Sequence, residues 1–324
     1  MGARIQGTGS FVPARVLTNV DLERMVETSD AWIVERTGIR ERRIAASGES
    51  CSDLAVKAAE RALEAAGVAA VDLDLILVAT CTGDAPLPAT ACVLQHRLGA
   101  QRAAACDISA ACSGFIYALA VGDAYVRSGY GQVLVVGSEV MSMLMDWTDR
   151  GTCILFGDGA GAVVLGAAAD GQGILSSHLH ADGTLWDLIC VPGGGSAAPP
   201  SEKMLAEGLQ YLKMKGNETF KVAVRTMEEV AREALSANGL SVEDLDLYIP
   251  HQANLRIIKA VASRLGLPME KVVVNMDRYG NTSAASIPLA LDEAVRGGRV
   301  QEGNLILMEA FGGGLTWGST LVRW

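Results

Sequence analysis

Aromatic residues make up only 5% of these 324 residues, and no apolar run is long enough to span a bilayer. The first shortage excludes a core of stacked rings. Ala, Val, Leu, Ile and close glycine backbone must fill it instead, as where helices pack on sheets. The second excludes membrane insertion. Because Met1-Gly2-Ala3-Arg4-Ile5-Gln6-Gly7 carries no apolar signal region, a cytoplasmic location is expected. Positive charge is also short: 27 Lys+Arg against 37 Asp+Glu give a net charge of -10. That excludes a general nucleic-acid binder and leaves room only for a local basic patch. The seven cysteines are odd in number, widely spaced and without a CxxC pair. They fit neither a disulfide framework nor a cysteine zinc site. Of four histidines, His178 and His180 have no carboxylate or cysteine at ligand spacing, so the pair reads as structural and no metal is expected.

What is present is a repeat. Ala62-Leu63-Glu64-Ala65-Ala66-Gly67 leads to Asp72-Leu73-Asp74-Leu75, and Ala234-Leu235-Ser236-Ala237-Asn238-Gly239 leads to Asp244-Leu245-Asp246-Leu247. Both glycines and both aspartates are 172 residues apart (239 − 67, 244 − 72). Each copy reads as a helix stopped by Gly, a turn and an apolar strand. Arg97-Leu98-Gly99 recurs as Arg264-Leu265-Gly266, and Val126-Arg127 as Val295-Arg296 before the strands at Val133 and Leu305. Four ordered matches predict two related α/β halves, residues 1–171 and 172–324, joined by a turn at Asp170-Gly171-Gln172-Gly173.

Strand ends and helix starts are where such folds place their sites. Cys112 begins an apolar helical run in Ala110-Ala111-Cys112-Ser113-Gly114-Phe115, where unpaired N–H groups favour a thiolate. The repeat sets His251 opposite the strand end at Ala79, and Asn281 opposite the start of the Cys112 helix. Taken singly, each has a plain reading: a packed thiol, a core histidine, a turn asparagine. Cys81, Cys92, Cys106 and Cys153 read as buried, inert thiols. Phe156-Gly157-Asp158-Gly159-Ala160-Gly161 does not fit GxGxxG, so no dinucleotide fingerprint is supported. Gly312-Gly313-Gly314 follows a strand and lets backbone approach a ligand, offering an oxyanion N–H. Trp32 and Arg36, four apart on a helix capped within Thr28-Ser29-Asp30, set an aromatic plane beside a guanidinium. Arg150 is a second candidate planar partner.

These residues together resemble the 3-oxoacyl-(acyl carrier protein) synthase III family, the initiating condensing enzymes of bacterial type II fatty-acid synthesis. The resemblance runs over essentially the whole chain. It is carried by Thr28 to Ile39, Ala110 to Phe115, Asp149 to Thr152, Phe156 to Gly161, Pro250 to Arg256, Gly280 to Ala285 and Glu309 to Gly314. It implies a thiolase-like duplicated αβαβα five-layered sandwich, a homodimer, and a Cys-His-Asn triad of Cys112, His251 and Asn281. Cys112 would take an acyl group from acyl-CoA. A decarboxylative condensation with malonyl-(acyl carrier protein) would then give 3-oxoacyl-(acyl carrier protein), CoA and CO2. The Cys112 and Gly313 amides would form the oxyanion hole. CoA is substrate here, and no cofactor is implied. The same resemblance assigns Thr28, Trp32, Arg36 and Arg150 to the nucleotide, and Gly216, Phe220 and Asn254 to the pantetheine tunnel. It assigns Leu87 and Leu212 to the acyl pocket. Lys215, Lys221, Arg256, Lys259 and Arg264 would form the landing patch for the acidic carrier protein.

Two departures stand out. Leu87 replaces the Phe of acetyl-specific members, and the stretch from Pro192 through Gln210 is long, so longer or branched primers are expected to fit. Three other functions suit parts of this pattern. They are a secondary-metabolite acyltransferase or ketosynthase of the same fold, a non-catalytic acyl-CoA binding module, and a cysteine hydrolase.

Overall fold

A computed structural model describes residues 2–169 and 171–324; Asp170, in the expected turn, lies outside the described residues. Strands β1 (Ala3–Phe11), β2 (Leu75–Ala79), β3 (Ala104–Ile108), β4 (Val133–Val140) and β5 (Asp158–Ala167) form one sheet, ordered β1-β5-β4-β2-β3. Strands β6 (Gly173–Ala181), β7 (Leu247–Pro250), β8 (Leu305–Gly312) and β9 (Thr316–Arg323) form a second, ordered β6-β9-β8-β7. The two orders are the same path through space. β2 pairs parallel with β4 as β7 does with β8, and the other matched pairs are antiparallel. The counterpart of β3 in the second sheet is reduced to a parallel bridge between Tyr248 and Val272.

The helices of eight or more residues are α1 (Asp30–Thr37), α2 (Cys51–Ala66), α3 (Thr90–Leu98), α4 (Gly114–Arg127), α5 (Gly216–Ala237), α6 (Leu255–Leu265) and α7 (Ser286–Arg296). Local chemistry sets their ends. Ser50 and Asp53 close a capping box at the start of α2, and Gly67, at φ 65°, stops it in the left-handed region. Buried side chains define the layers. Phe115 and Leu119 of α4 and Ile287 and Leu291 of α7 share one cluster with Leu77 and Val135 of the first sheet and Ile249 and Ile306 of the second. α4 and α7 therefore lie between the sheets. α2 and α3 cover the outer face of the first sheet, and α5 and α6 that of the second. This is the expected five-layered αβαβα sandwich.

The alternate glycines of Gly157-Asp158-Gly159-Ala160-Gly161 now have a structural reason. A Cβ at Gly161 would lie 2.7 Å from the Leu289 backbone nitrogen, so the bare strand is what lets α7 rest on β5. The repeat also shows in backbone strain. Ala111 (φ 45°) and Ser283 (φ 50°) are the non-glycine residues with positive φ among those described, and they are 172 apart (283 − 111). Each lies in a 3-10 turn feeding a central helix, and the two turns meet where the halves join.

Candidate active site

Cys112 occupies the turn Ala111–Ser113 ahead of α4. The turn is pinned by the Ser113 hydroxyl, which donates to the Ala110 carbonyl (2.9 Å) and lies 2.6 Å from Thr316 Oγ1. Behind it comes the end of β8. A Cβ at Gly312 would sit 2.7 Å from the Cys112 amide nitrogen, so only glycine lets this backbone approach. Burial pushes the Cys112 thiol up to about 11; a Ser283 hydroxyl within hydrogen-bonding reach opposes this, and the Glu139 charge adds to it. The thiolate expected from the helix start is thus not the resting form: loss of solvation outweighs the helix end, and Cys112 rests as a thiol.

His251 follows β7, its amide donating to the Glu309 carbonyl at 2.8 Å. Its Nδ1 lies 2.6 Å from Ser286 Oγ, and that oxygen already accepts from the Gln252 amide at 3.3 Å. Among the described residues His251 Nδ1 is the one acceptor in reach of the Ser286 hydroxyl, so the Ser286 proton is assigned to Nδ1 and the ring proton to Nε2. Burial lowers His251 to about 3, so the ring is a neutral hydrogen-bond donor. Asn281 is oriented in the same way. Its Oδ1 accepts from the Ser283 amide (2.8 Å), leaving the NH2 group as the free end. Its backbone is clamped by Asn281 N–H to Leu155 C=O (2.8 Å) and Gly157 N–H to Asn281 C=O (3.0 Å).

Cys112, His251 and Asn281 line one cavity of about 590 Å³. Trp32, Arg36, Arg150, Gly216, Phe220, Asn254, Leu212, Lys221, Arg256 and Gly313 line it too, so the structure brings most of the sequence-derived set together. Arg36 and Arg150 both stand over the Trp32 ring, at 4.3 and 5.0 Å from its centroid. A purine sandwiched between Trp32 and Arg150 must displace that guanidinium. Asn254 caps α6 and donates to the Arg36 carbonyl at 3.1 Å, tying α6 to α1.

Several expectations are corrected. Leu87 is 85% exposed and is not a wall of the cavity within one chain; the segment from Gly83 to Ala89 carries it outward. Thr28 is not a lining residue, and its buried hydroxyl has no partner. Lys215 is ion-paired with Asp187 (2.6 Å), which cancels its charge locally, whereas Arg264 shares Glu228 (3.0 Å) with Arg232 and is only partly neutralised. Lys259 is exposed beside the cavity-lining Arg256 without lining it. Cys81, Cys92 and Cys106 are exposed rather than buried, and Cys81 opens into the cavity. His178 and His180 do meet a carboxylate: Glu233 of α5 lies 3.2 and 2.6 Å from them. No metal-holding group of three such residues occurs among the described residues.

Sequence reasoning missed Ser283, Ser286 and Glu139. Ser283 was within reach as the 172-offset partner of Ala111. Glu139 is the one charged residue in the strand Val-Leu-Val-Val-Gly-Ser-Glu-Val, a pattern that marks a buried polar group with a task. Ser286 carries no signal without coordinates.

Residues 106–183 match the family model of 3-oxoacyl-(acyl-carrier-protein (ACP)) synthase III, and residues 235–324 match its C-terminal model. The chain is 59% identical over 323 residues to the beta-ketoacyl-(acyl-carrier-protein) synthase III of Xanthomonas campestris pv. campestris, covering 99% of this chain and 98% of that one. The crystal structure of the Aquifex aeolicus VF5 3-oxoacyl-(acyl-carrier-protein) synthase III is similar over 100% of both chains, with a TM-score of 0.93 and 51% identity. The priming beta-ketosynthase of the R1128 polyketide biosynthetic pathway is similar at a TM-score of 0.91 and 40% identity, over 99% of this chain and 96% of that one.

Proposed function

The chain belongs to the 3-oxoacyl-(acyl-carrier-protein) synthase III family, and from that premise we propose that it carries out the initiating condensation of type II fatty-acid synthesis. The observation that carries this reading is a thiol sharing one cavity with two oriented, uncharged donors, His251 Nε2–H and Asn281 NH2.

In the first step Cys112 sulfur attacks the thioester carbon of acyl-CoA. The carbonyl oxygen takes up negative charge between the Cys112 and Gly313 amides, CoA leaves as its thiol, and the acyl group stays on sulfur. Trp32, Arg36 and Arg150 at the mouth hold the nucleotide, and Gly216, Phe220 and Asn254 guide the pantetheine arm. Malonyl-(acyl carrier protein) then enters by the same route, over the uncancelled charges of Lys221, Arg256 and Lys259.

His251 and Asn281 donate to the malonyl thioester oxygen. As the bond to the carboxylate breaks, CO2 departs and its electron pair passes into an enolate whose oxygen lies on those two donors. The enolate carbon attacks the Cys112 thioester, the cysteine sulfur leaves, and 3-oxoacyl-(acyl carrier protein) is released. A neutral His251 suits this step, because it stabilises the enolate without protonating and quenching it. A non-catalytic acyl-CoA module would need neither donor, and a hydrolase would need an open water path.

The functional unit we infer is a cytoplasmic homodimer of two-half chains, divided as residues 1–171 and 172–324. Leu87, bare in the single chain, and the open sheet edge at β3 support a second copy covering that face. Seven free cysteines suit a reducing compartment.

Intact-protein mass spectrometry after incubation with a panel of acyl-CoAs tests the reading. A mass increase of one acyl group, abolished in Cys112→Ala, is expected, and the best chain length identifies the primer. No adduct from any acyl-CoA would sink the mechanism. His251→Ala and Asn281→Ala should keep acylation and lose condensation with malonyl-(acyl carrier protein); equal loss of both steps refutes their roles.

A further inference from the structure

A buried charge with no counter-charge bonded to it lies behind Asn281. Arg42 belongs to the short strand Glu41–Ile44, which pairs with Arg15–Thr18, and its side chain is fully buried. Nη1 donates to the Leu17 carbonyl (3.2 Å) and to Asn19 Oδ1 (2.9 Å), and Nη2 donates to the Ile154 carbonyl (2.6 Å). All three acceptors are neutral, and Nε has no partner. Burial lowers Arg42 to about 10, so it stays charged at neutral pH. A charge buried in this way costs stability, and packing alone would favour an apolar side chain of similar size. What arginine adds is a rigid fork that ties together segments distant in sequence.

The two ends of the fork do different things. Asn19 Nδ2 donates to Asp30 Oδ1 and to the Ile39 carbonyl, both at 2.8 Å, which fixes Asn19 with its Oδ1 toward Arg42. That end is the anchor. The other end holds residues 154–157, which grip Asn281 by its backbone: Leu155 C=O accepts from the Asn281 amide, and Gly157 N–H donates to the Asn281 carbonyl. The Arg42 stem supports the same clamp. A Cβ at Gly157 would lie 3.0 Å from Arg42 Cβ, and one at Gly280, which precedes Asn281, would lie 3.2 Å from it. Clamp and clamped residue therefore rest on one side chain.

We propose that Arg42 is a positioning residue for the condensation step, setting where Asn281 holds its NH2 group. Asn281 Oδ1 already accepts from the Ser283 amide, so the direction of the NH2 group follows from where the backbone lies. A donor to a developing oxyanion acts only at about 2.7–3.1 Å, and a misplacement of about 1 Å costs about 100-fold. Arg42 is not a lining residue of the cavity, so it acts through Asn281. The Cys112 turn is pinned by other contacts, those of Ser113 with Ala110 and Thr316, so acylation does not depend on the fork.

The inference rests on the proposed condensation and on the role given there to Asn281. Enzyme is first acylated by the acyl-CoA that best acylates the wild type, and the acyl-enzyme is counted by intact-protein mass spectrometry. Malonyl-(acyl carrier protein) is then added, and condensation is expressed per acyl-enzyme, so that unfolded molecules drop out. Arg42→Lys keeps the charge and most of the stem, but one ammonium cannot span Asn19 and Ile154 as the fork does. Condensation should fall by about tenfold or more, with acylation within about threefold of the wild type. Arg42→Met should lose about 100-fold in condensation, and Arg42→Lys decides alone where that variant does not fold. In the Asn281→Ala background Arg42→Lys should cost less than about a further threefold, because the donor it positions is gone. A merely structural role predicts equal losses in both backgrounds, or acylation and condensation falling together. Either result, or Arg42→Lys condensing within about threefold of the wild type, overturns the proposal. A wild type that forms acyl-enzyme without condensing, or Asn281→Ala condensing at the wild-type rate, overturns instead the reading on which it rests.

Discussion

Replacing Gly312 with alanine is the smallest perturbation that reaches the proposed oxyanion hole. The added Cβ would lie 2.7 Å from the Cys112 amide nitrogen, 3.1 Å from the Ser113 nitrogen and 3.2 Å from Cys112 Cα, whereas ordinary Cβ contacts begin at 3.4 Å. All three atoms are backbone, so no side chain can swing away. Relief of the nitrogen contact needs a displacement of 0.7 Å (3.4 − 2.7) between β8 and the nucleophile turn. The turn cannot yield freely, being held by the Ser113 bonds to Ala110 and Thr316. A productive oxyanion contact spans only about 2.7–3.1 Å, so a shift of that size removes one donor. The expected cost is about 100- to 1,000-fold in the acylation rate, with overpacking destabilising the fold by about 1–3 kcal/mol. Single-turnover acylation of Cys112 reads the first number and denaturant unfolding the second. Gly312→Ala acylating within about threefold of the wild type would refute both the close approach and the role given to the Cys112 amide.

Ser286→Ala removes the hydroxyl that holds the His251 proton on Nε2; condensation should fall about tenfold or more with acylation preserved, as rapid-quench comparison of the two steps will show. His251 and Glu309 impose opposite pH slopes on stability. His251, lowered from 6.5 to about 3, disfavours the fold as pH drops below 6.5, because the unfolded chain binds a proton that the native ring refuses. Between pH 7 and 5 that amounts to about 2 kcal/mol. Glu309, raised by burial from 4.5 to about 8, gives stability that is complete below pH 4.5 and is lost as pH rises through 8. Between pH 6 and 8 it accounts for about 2 kcal/mol. The slopes nearly cancel around pH 6, so each is read as a difference from a variant. His251→Asn should lose less stability on acidification than wild type, and Glu309→Gln less on alkalinisation, in urea titrations at pH 5, 6.5 and 8. Parallel curves for wild type and variant would refute either assignment. Arg150→Ala should raise the acyl-CoA KM with kcat little changed, since the proposed contact to the nucleotide would serve ground and transition states alike; a kcat effect alone would count against its place on the nucleotide.

Much of this site was legible before any coordinates. The 172-residue offset located His251 and Asn281 opposite Ala79 and the Cys112 helix because a duplicated α/β unit repeats its strand ends and helix starts. Gly216, Phe220 and Asn254 were reached only through the family resemblance, since nothing in their spacing marks a tunnel. The illegible parts share a cause. Leu87 was assigned a wall it does not form in one chain, because sequence position says nothing about which way a loop turns its side chain. Lys215 and Arg264 counted as free charges until Asp187 and Glu228, distant in sequence, were seen to pair with them.

The sequence by itself determined the architecture. Glycine stops and a repeat at an offset near 172 residues predict two related α/β halves, and the family resemblance adds their five-layered arrangement. The sequence also singled out Cys112, His251 and Asn281 as one group, and the family resemblance supplied the roles proposed for them. Only the tertiary structure decided their chemical states. That Cys112 rests protonated, that His251 is a neutral Nε2–H donor and that Asn281 offers its NH2 are set by burial and by Ser286, Ser283 and Glu139. Protonation and hydrogen-bond direction depend on the dielectric and the partners around an atom, and the folded chain gathers those partners from segments that share no local pattern.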